Sequence, residues 1–592
     1  MAAIFGILGP ATQDELEAMA ARLAHRGGHP QYLELDGVSL GLLANHPGQG
    51  IIQDNRFALA ANAQIFNETA LCASLDQQPT STDALILACY AGQGLNAMAA
   101  LNGEFALALW DGEQRQLILS RDYVGTRPLF YTHLPSKRLA FASEYKALLA
   151  LPELSVEVDR EMLQFLQHYK QVPSHRTLLK DIHGLPPGSA LVFNEGARQM
   201  REQRFPTVAL RVEPLALADA SQRVADTLLE VLEARIDDRP RLGIALSGGI
   251  DSMGLACACR RLRPDTEIHA FTAGHGPEDP EILTAAFVAE KIGAVHHRVI
   301  VTPETLVERL PRVVWHLEDP IARSESVQFY ELGQAAGQYV DFLFSGAAAD
   351  GIFAGMPRHK ILYLMQLLPF LRHPLAEFYT LTQSGRPPRS PLGKLLDRLY
   401  FKGRLPGVPR VLGSNFEPPL VEFPRFSAEF INEVLCATLQ EAVARWLAKE
   451  ERTLRAGGVD NTLPFLDRRM IEVGFSIPSA LKIRRGKEKY VLRQALRSLV
   501  PAEVLNRPKF PMRMKYDASF ADNLDAMAHR YLSRERVEAR GFFDWQDLQR
   551  LFQRPQSGVY SAEGAMRLWT ALATEIWAEH FLDRRGAAPT AS

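Results

Sequence analysis

The run Arg241-Leu242-Gly243-Ile244-Ala245-Leu246-Ser247-Gly248-Gly249-Ile250-Asp251-Ser252 constrains the fold of this chain more than any other. An apolar stretch of strand type ends in a glycine pair and passes directly into MGLACACRRL (253–262), which reads as a helix. A buried strand that turns into a helix opens a strand–helix–strand unit, and such units build parallel sheets covered on both faces. The pattern continues. EIHAFTA (267–273), HHRVIV (296–301) and VDFLFSG (340–346) read as strands, and PEILTAAFVAEKIG (280–293) as a helix between them. From about residue 215 the expected fold is therefore α/β, a doubly wound parallel sheet, with a mainly helical C-terminal part. The stretch 369–425 is rich in Pro and basic residues and reads as an insertion or mobile loop, a linker rather than a binding element.

The first turn also carries chemistry. Gly248 and Gly249 let backbone amides approach an anion, the helix N-terminus adds positive dipole potential, and Ser247 and Ser252 add hydroxyl donors. Asp251 is the odd member, because a carboxylate beside phosphates is repulsive unless a cation lies between them; this asks for Mg²⁺. The loop lacks the Lys of a Walker A motif. At the end of a later strand stands Ser345-Gly346-Ala347-Ala348-Ala349-Asp350-Gly351. Ligands of open parallel sheets collect outside the carboxyl ends of the strands, so Asp251 and Asp350 are expected to share a metal bridging the phosphates of ATP. The bland alternatives are an ordinary tight turn for the first loop and a turn cap for Asp350.

Residues 1 to about 205 form a different, strand-rich unit. Short β-type runs at 4–8, 38–44, 105–110, 116–121 and 190–193 are broken by Gly, Asn, Asp and Pro, and Thr12 with Glu15 makes a capping box ahead of a helix over 12–26. At 592 residues more than one domain is the default. A formal net charge of −2 argues against bulk electrostatic binding of nucleic acid. Cys72, Cys89, Cys257, Cys259 and Cys436 lack zinc or redox spacing and read as reduced packing thiols. The N-terminus has no signal-peptide pattern and no window is apolar enough to span a membrane, so a cytoplasmic protein without membrane insertion is expected.

Taken together these motifs resemble the asparagine synthetase family. Ser247–Ser252 resembles the SGGxDS signature of the ATP-pyrophosphatase (adenine nucleotide α-hydrolase-like) fold, and Ser345–Asp350 the family's SGxGAD loop. Leu463-Pro464-Phe465-Leu466-Asp467 resembles its VPFLD segment, and Gly486–Arg493 with Leu499-Val500-Pro501 and Arg507-Pro508-Lys509 its C-terminal pattern. The resemblance implies that Leu246, Ala273, Ser345 and Gly346 line the adenine and ribose site. It also implies that Lys489 meets developing negative charge in adenylation or acyl transfer, a task that suits a compact cation.

Residues 1–205 resemble the family's glutaminase domain, an N-terminal-nucleophile (Ntn-hydrolase-like) αββα sandwich, through Ile4–Ile7, His25-Arg26-Gly27, Asn62–Asn67, Arg121-Asp122 and Phe141–Glu144. Residues 215–592 correspond to the ligase domain. An active glutaminase carries Cys directly after the initiator Met, where its thiolate attacks glutamine; here that position is Ala2. The N-G-E triplet that binds glutamine has become Asn62-Ala63-Gln64. The first domain is thus expected to be catalytically inactive and the amine to come from elsewhere, as in β-lactam synthetases and lasso-peptide macrolactam cyclases. Ala347 stands where β-lactam synthetases have a catalytic Tyr, which disfavours their mechanism and leaves room for a bulkier substrate.

The favoured expectation is an AMP- and pyrophosphate-forming ligase that uses ATP and Mg²⁺ on a precursor peptide, in company with a leader-cleaving protease and a leader-recognition protein. A ligase for a small amino acid, or for ammonia, and an inactive nucleotide-binding scaffold are the alternatives. The catalytic base is not legible. His316, Glu318 and Asp319, expected at a strand end, read as structural rather than catalytic groups.

Overall fold

The computed structural model describes residues 2–44, 48–75, 79–195, 200–206, 208, 210–236, 239–320, 325–384, 390–392, 394–395, 410–417, 423–505, 517–553 and 558–589. The first twelve strands are β1 (Ala3–Leu8), β2 (His29–Leu35), β3 (Val38–Ala44), β4 (Ile52–Gln53), β5 (Phe57–Ile65), β6 (Gly103–Asp111), β7 (Gln116–Arg121), β8 (Phe130–His133), β9 (Leu139–Ala142), β10 (His183–Gly184), β11 (Ser189–Asn194) and β12 (Met200–Arg204). They form two antiparallel sheets, ordered β10-β8-β9-β1-β3-β2 and β12-β11-β7-β6-β5-β4. Leu35 pairs with Val38 across a two-residue Asp36-Gly37 turn, where Gly37 takes the positive φ (93°) that such a turn requires.

The period of two along these strands divides their side chains between faces. Ile4, Leu40 and Leu42 meet Ala58, Ala60, Ala106, Ala108, Leu119 and Leu191 between the sheets. On the far side of the second sheet Leu59, Phe105 and Leu107 pack on Leu85 and Ile86 of helix Thr82–Gln93. On the far side of the first, Phe5 and Ile7 pack on Leu16, Met19 and Leu23 of helix Gln13–Leu23. The layers are therefore αββα. The expected capping box is present: Glu15 N donates to Thr12 Oγ1 (3.3 Å) and Thr12 N to Glu15 Oε2 (3.0 Å).

The remaining strands are β13 (Arg241–Ala245), β14 (Glu267–Gly274), β15 (Val295–Ile300), β16 (Phe342–Ser345) and β17 (Asp460–Thr462). All pair in parallel, in the order β15-β14-β13-β16-β17. The direction of winding reverses between β13 and β16, so the two Gly/Ala-rich loops leave adjacent strands at the topological switch point, where open sheets bind ligands. Beyond this sheet the chain is mainly helical, with long helices Phe430–Arg455 and Ala562–Ala578. Cys257 and Cys259 are buried in helix Ile250–Leu262, and burial pushes their thiols up to about 11 and about 12, which makes them inert packing groups. All five cysteines are free. Among the described residues no helix is long and apolar enough to cross a membrane.

Two expectations are corrected. His316 does not lie at a strand end: it is in helix Leu310–Leu317, which Glu318 terminates in a left-handed conformation (φ 61°). The amphipathic spacing of LPRVVWHL prevails over the β-branched pair Val313-Val314 because Leu310, Val313, Val314 and Leu317 share one buried face. The 369–425 stretch is not a loop throughout either, since Arg372–Ser384 is helical. Its residues 411–415 dock on the first sandwich, where Val411 N donates to Gln164 Oε1 (2.6 Å) and Asn415 N to Glu161 Oε1 (2.9 Å). Residues 385–389, 393, 396–409 and 418–422 of that stretch, and Arg507-Pro508-Lys509, lie outside the described residues.

Buried ions and apolar side chains join the sandwich to the parallel sheet. One core cluster runs from Phe5 and Leu16 through Tyr145 to Leu343, Trp569 and Trp577. Arg127 bridges Glu104 (3.0 Å) and Asp460 (3.1 Å), and Glu104 accepts from Leu463 N and Thr462 Oγ1 (3.0 Å each). Asp467 accepts from Arg235 (2.7 Å), Arg469 (3.0 Å) and Asn102 Nδ2 (3.1 Å). Burial alone would raise its carboxyl, but the Arg469 and Arg235 guanidinium groups prevail and hold it down at about 2. A folded value below the unfolded one stabilises above the unfolded pKa near 4, and that contribution is lost as pH falls toward 2. Asp467→Asn should therefore cost roughly 2 kcal/mol at pH 7 in denaturant titration, and the gap from the parent should narrow steadily between pH 4 and pH 2.

Candidate active site

The first loop is organised around Ser252. Its Oγ accepts from Ser247 N (3.0 Å), lies 2.9 Å from Ser247 Oγ, and is 3.1 Å from the carbonyl oxygens of Ser247 and Gly249. Gly249 N donates back to Ser247 Oγ (3.2 Å) and caps helix Ile250–Leu262, whose first internal bond runs from Met253 N to Gly249 O (3.2 Å). Both serines thus shape the turn, and the helix N-terminus opens at the carboxyl edge of the sheet. Leu246 is buried behind it, with its carbonyl accepting from Thr272 Oγ1 (2.7 Å). Ala273 follows Thr272 on β14 and is also buried.

The second loop leaves β16 beside the first. A Cβ on Gly346 would stand 2.8 Å from Ser252 N and 3.1 Å from the Asp251 carbonyl carbon, so only hydrogen fits there. Ser345 Oγ accepts from Ala347 N (3.3 Å), and Ala348 holds a left-handed φ of 73° before the short helix Ala349–Ile352. These two bends swing Asp350 back toward Asp251.

Lys489 closes the arrangement. Its ammonium contacts both carboxylates, Asp251 in a very short contact and Asp350 at 2.5 Å, and it is 4% exposed. Burial would lower it, but the two carboxylates outweigh burial and hold the lysine above its usual value, fully charged at neutral pH. Lys489 itself has a left-handed φ of 52°, as does Ala354 (57°). Three non-glycine residues in this strained region surround one ion cluster, a concentration typical of functional sites. Of the residues expected from sequence, Asp251, Asp350 and Lys489 are brought into contact, and Ser247, Gly248, Gly249, Ser252, Ser345 and Gly346 build the rim that holds them. Leu246 and Ala273 sit on the adjacent strands β13 and β14 behind that rim.

Sequence reasoning missed Gly355. A Cβ there would lie 1.9 Å from Lys489 Cε and 2.0 Å from Asp350 Oδ1. Its only signal is the glycine after a short helix in IFAGMP. It also missed Glu450, on helix Phe430–Arg455, whose buried carboxyl is raised by burial although Ser345, Trp446 and Asn461 act to lower it. His359 lies close by, and burial and Arg358 depress it to about 3, so it is neutral at physiological pH.

Glu318 is a buried structural acid. It accepts from Lys146 N (2.6 Å) and pairs with Arg452 (3.4 Å), next to a cluster in which Arg26 joins Glu144 (2.6 Å) to Glu451. Burial drives His316 well below its usual value, and burial likewise raises Asp319. In the sandwich Ala2 is fully buried, and Asn62 is 2% exposed.

A strand–loop–helix turn, two carboxylates and a buried lysine therefore meet at the switch point of a parallel sheet, where open sheets bind ligands. The Asparagine synthase family matches residues 223–579, and the Glutamine amidotransferase domain family matches residues 1–205. A putative glutamine-hydrolyzing asparagine synthetase of Mycobacterium tuberculosis (strain ATCC 25618 / H37Rv) is 28% identical over 98% of this chain and 96% of its own length. Asparagine synthetase [glutamine-hydrolyzing] 1 of Bacillus subtilis (strain 168) is 24% identical over 97% and 95%. Among solved structures, the glutamine phosphoribosylpyrophosphate amidotransferase from B. subtilis aligns with 50% of this chain and 91% of its own, at 14% identity and a TM-score of 0.28.

The chain belongs to the asparagine synthase family. It is an ATP-dependent amide-forming ligase. Because the Gly355 position leaves no space for a methyl group, Gly355→Ala should displace Lys489 and lower the rate of pyrophosphate release by about 100-fold, with far-UV circular dichroism unchanged.

Proposed function

We propose that this ligase closes a macrolactam: it adenylates an Asp or Glu side chain of a precursor peptide, and the N-terminal amine of the same peptide takes the acyl group. The observation that carries the reading is Ala2, a buried methyl group where a glutaminase needs a thiolate. Without that nucleophile no ammonia is released from glutamine, and in this reading the amine arrives with the substrate. Asn62-Ala63-Gln64 supports this, having lost the carboxylate expected to hold the amino group of glutamine. Ala347 supports a bulky substrate, because the rim between Ser345 and Asp350 carries nothing larger than methyl groups.

In the first step a carboxylate oxygen attacks the α-phosphorus of ATP and pyrophosphate leaves. The Ser247–Ser252 turn and the N-terminus of helix Ile250–Leu262 cradle the phosphates. Asp251 and Asp350, whose charges the Lys489 ammonium between them balances, are hard oxygen donors of the kind that would hold Mg²⁺ together with substrate phosphates once the nucleotide binds. When bound, the metal would neutralise phosphate charge. Lys489, permanently charged, lies where negative charge builds up on the transferring groups. In the second step the neutral amine attacks the acyl carbon, loses its proton, and AMP leaves with the bonding electrons. Holding amine and acyl carbon together contributes several kcal/mol in an intramolecular closure. Residues 1–205 act as an inactive docking scaffold, bolted to the ligase half through Glu104, Arg127 and Arg26. A leader-cleaving protease and a leader-recognition protein would deliver the peptide.

A second reading is favoured by the names of the relatives, which are glutamine-hydrolyzing asparagine synthetases: amidation of a small amino acid, here with ammonia supplied from solution. Pyrophosphate release separates the two. The cyclase reading expects release that depends on a linear peptide with a free N-terminus and an internal Asp or Glu, with loss of one water in the peptide's mass. Release with aspartate and ammonium alone would overturn it. Asp251→Asn should abolish release with either substrate. Wild-type protein incubated with glutamine should yield no glutamate; glutamate above a heat-killed control would refute the inactive first domain.

A further inference from the structure

Trp446 is 37% exposed, whereas Trp110, Trp315, Trp569 and Trp577 are at most 6% exposed. An exposed indole is not in itself unusual. This one, however, is held in place beside the synthetase cleft. It projects from helix Phe430–Arg455, which passes under the second loop: a Cβ on Gly351 would touch Leu439 (3.6 Å) and Val443 (3.7 Å). Trp446 lies one helical turn beyond Val443, and Glu450 one turn beyond Trp446. Leu439, Val443 and Trp446 thus share the stripe of the helix that faces the loop carrying Asp350.

The indole's neighbour is fixed as well. Helix Glu325–Ala336 crosses the same long helix at backbone contact, where Gly333 leaves no room for a Cβ against Leu454 (2.8 Å) and Gly337 none against Gly457 (2.1 Å). One turn before Gly333, Phe329 meets Trp446 edge to face, with ring centroids 6.0 Å apart and planes at 82°. The result is a partly exposed aromatic pair, rigidly mounted, beside a loop whose side chains end at methyl groups. Aromatic anchors of this kind carry much of the energy of recognition.

We infer that Trp446 and Phe329 form the wall on which the acyl substrate packs next to the carboxylate being activated. The ligand class is a carboxylic acid flanked by apolar or peptide-backbone surface. This rests on the reading of the cleft as an amide ligase site, but not on which acid is the substrate.

The test uses full-length protein and two probes: a nine-residue peptide with N-terminal Gly and Glu at its eighth position, and L-aspartate with ammonium chloride. Trp446→Ala should raise the KM for whichever acid releases pyrophosphate by about ten-fold or more. Affinity for a fluorescent ATP analogue should stay within about two-fold of the parent, and Trp446→Phe should recover most of the loss. An unchanged KM, or a parallel loss of nucleotide affinity, overturns the wall, as does a parent protein that takes neither acid. Activity with aspartate alone overturns the peptide substrate while leaving the wall to be judged on the aspartate KM. Activity with the peptide, unaffected by Trp446→Ala, removes the wall and leaves the cyclase reading standing.

Discussion

The ammonium of Lys489 between the carboxylates of Asp251 and Asp350 is the contact on which the rest of the ligase half depends. It joins residues 238 positions apart and is made in a nearly water-free position. Two carboxylates so close together would repel each other, and an isolated ammonium so deeply buried would lose its proton. Each condition is relieved only by the other. The surrounding backbone accepts strain to bring them together: Ala348, Ala354 and Lys489 are left-handed without being glycine, while Gly346 and Gly355 remove the side chains that would keep the loops apart.

A second set of buried charges ties the N-terminal sandwich to this centre. Glu104 bonds to the backbone of Leu463, Arg127 reaches Asp460, and Arg26 bridges Glu144 and Glu451. Removing one partner would leave an uncompensated ion in a dry interface, which costs several kcal/mol. The 1–205 segment is therefore coupled to β17 and to helix Phe430–Arg455, the elements that carry the underside of the site. This gives a physical reason for the chain to keep the amidotransferase-like sandwich, whatever chemistry that sandwich performs.

How far the sequence discloses this differs between residues. Ser247–Ser252 could be read because a glycine pair between a buried strand and a helix has few structural meanings. Asp350 could be read because its loop repeats the same grammar. The capping box at Thr12 and Glu15 is a local hydrogen-bond pattern and formed as its spacing implied. His316 lies in a helix rather than at a strand end because burial of one helical face of 310–317 decided the matter. The helix at Arg372–Ser384 was obscured by the Pro- and Arg-rich composition around it.

What the sequence determined alone is the chemistry that depends on residue type: a glycine-pair turn between strand and helix, two acids, a lysine, and a methyl group at position 2. Only the tertiary structure decided which of these groups meet, because the contacts of Lys489, the clearance at Gly355, and the Trp446–Phe329 pair all arise between segments far apart in the chain. No local propensity encodes such contacts. They are set by how the helices cross and by where the parallel sheet reverses its winding.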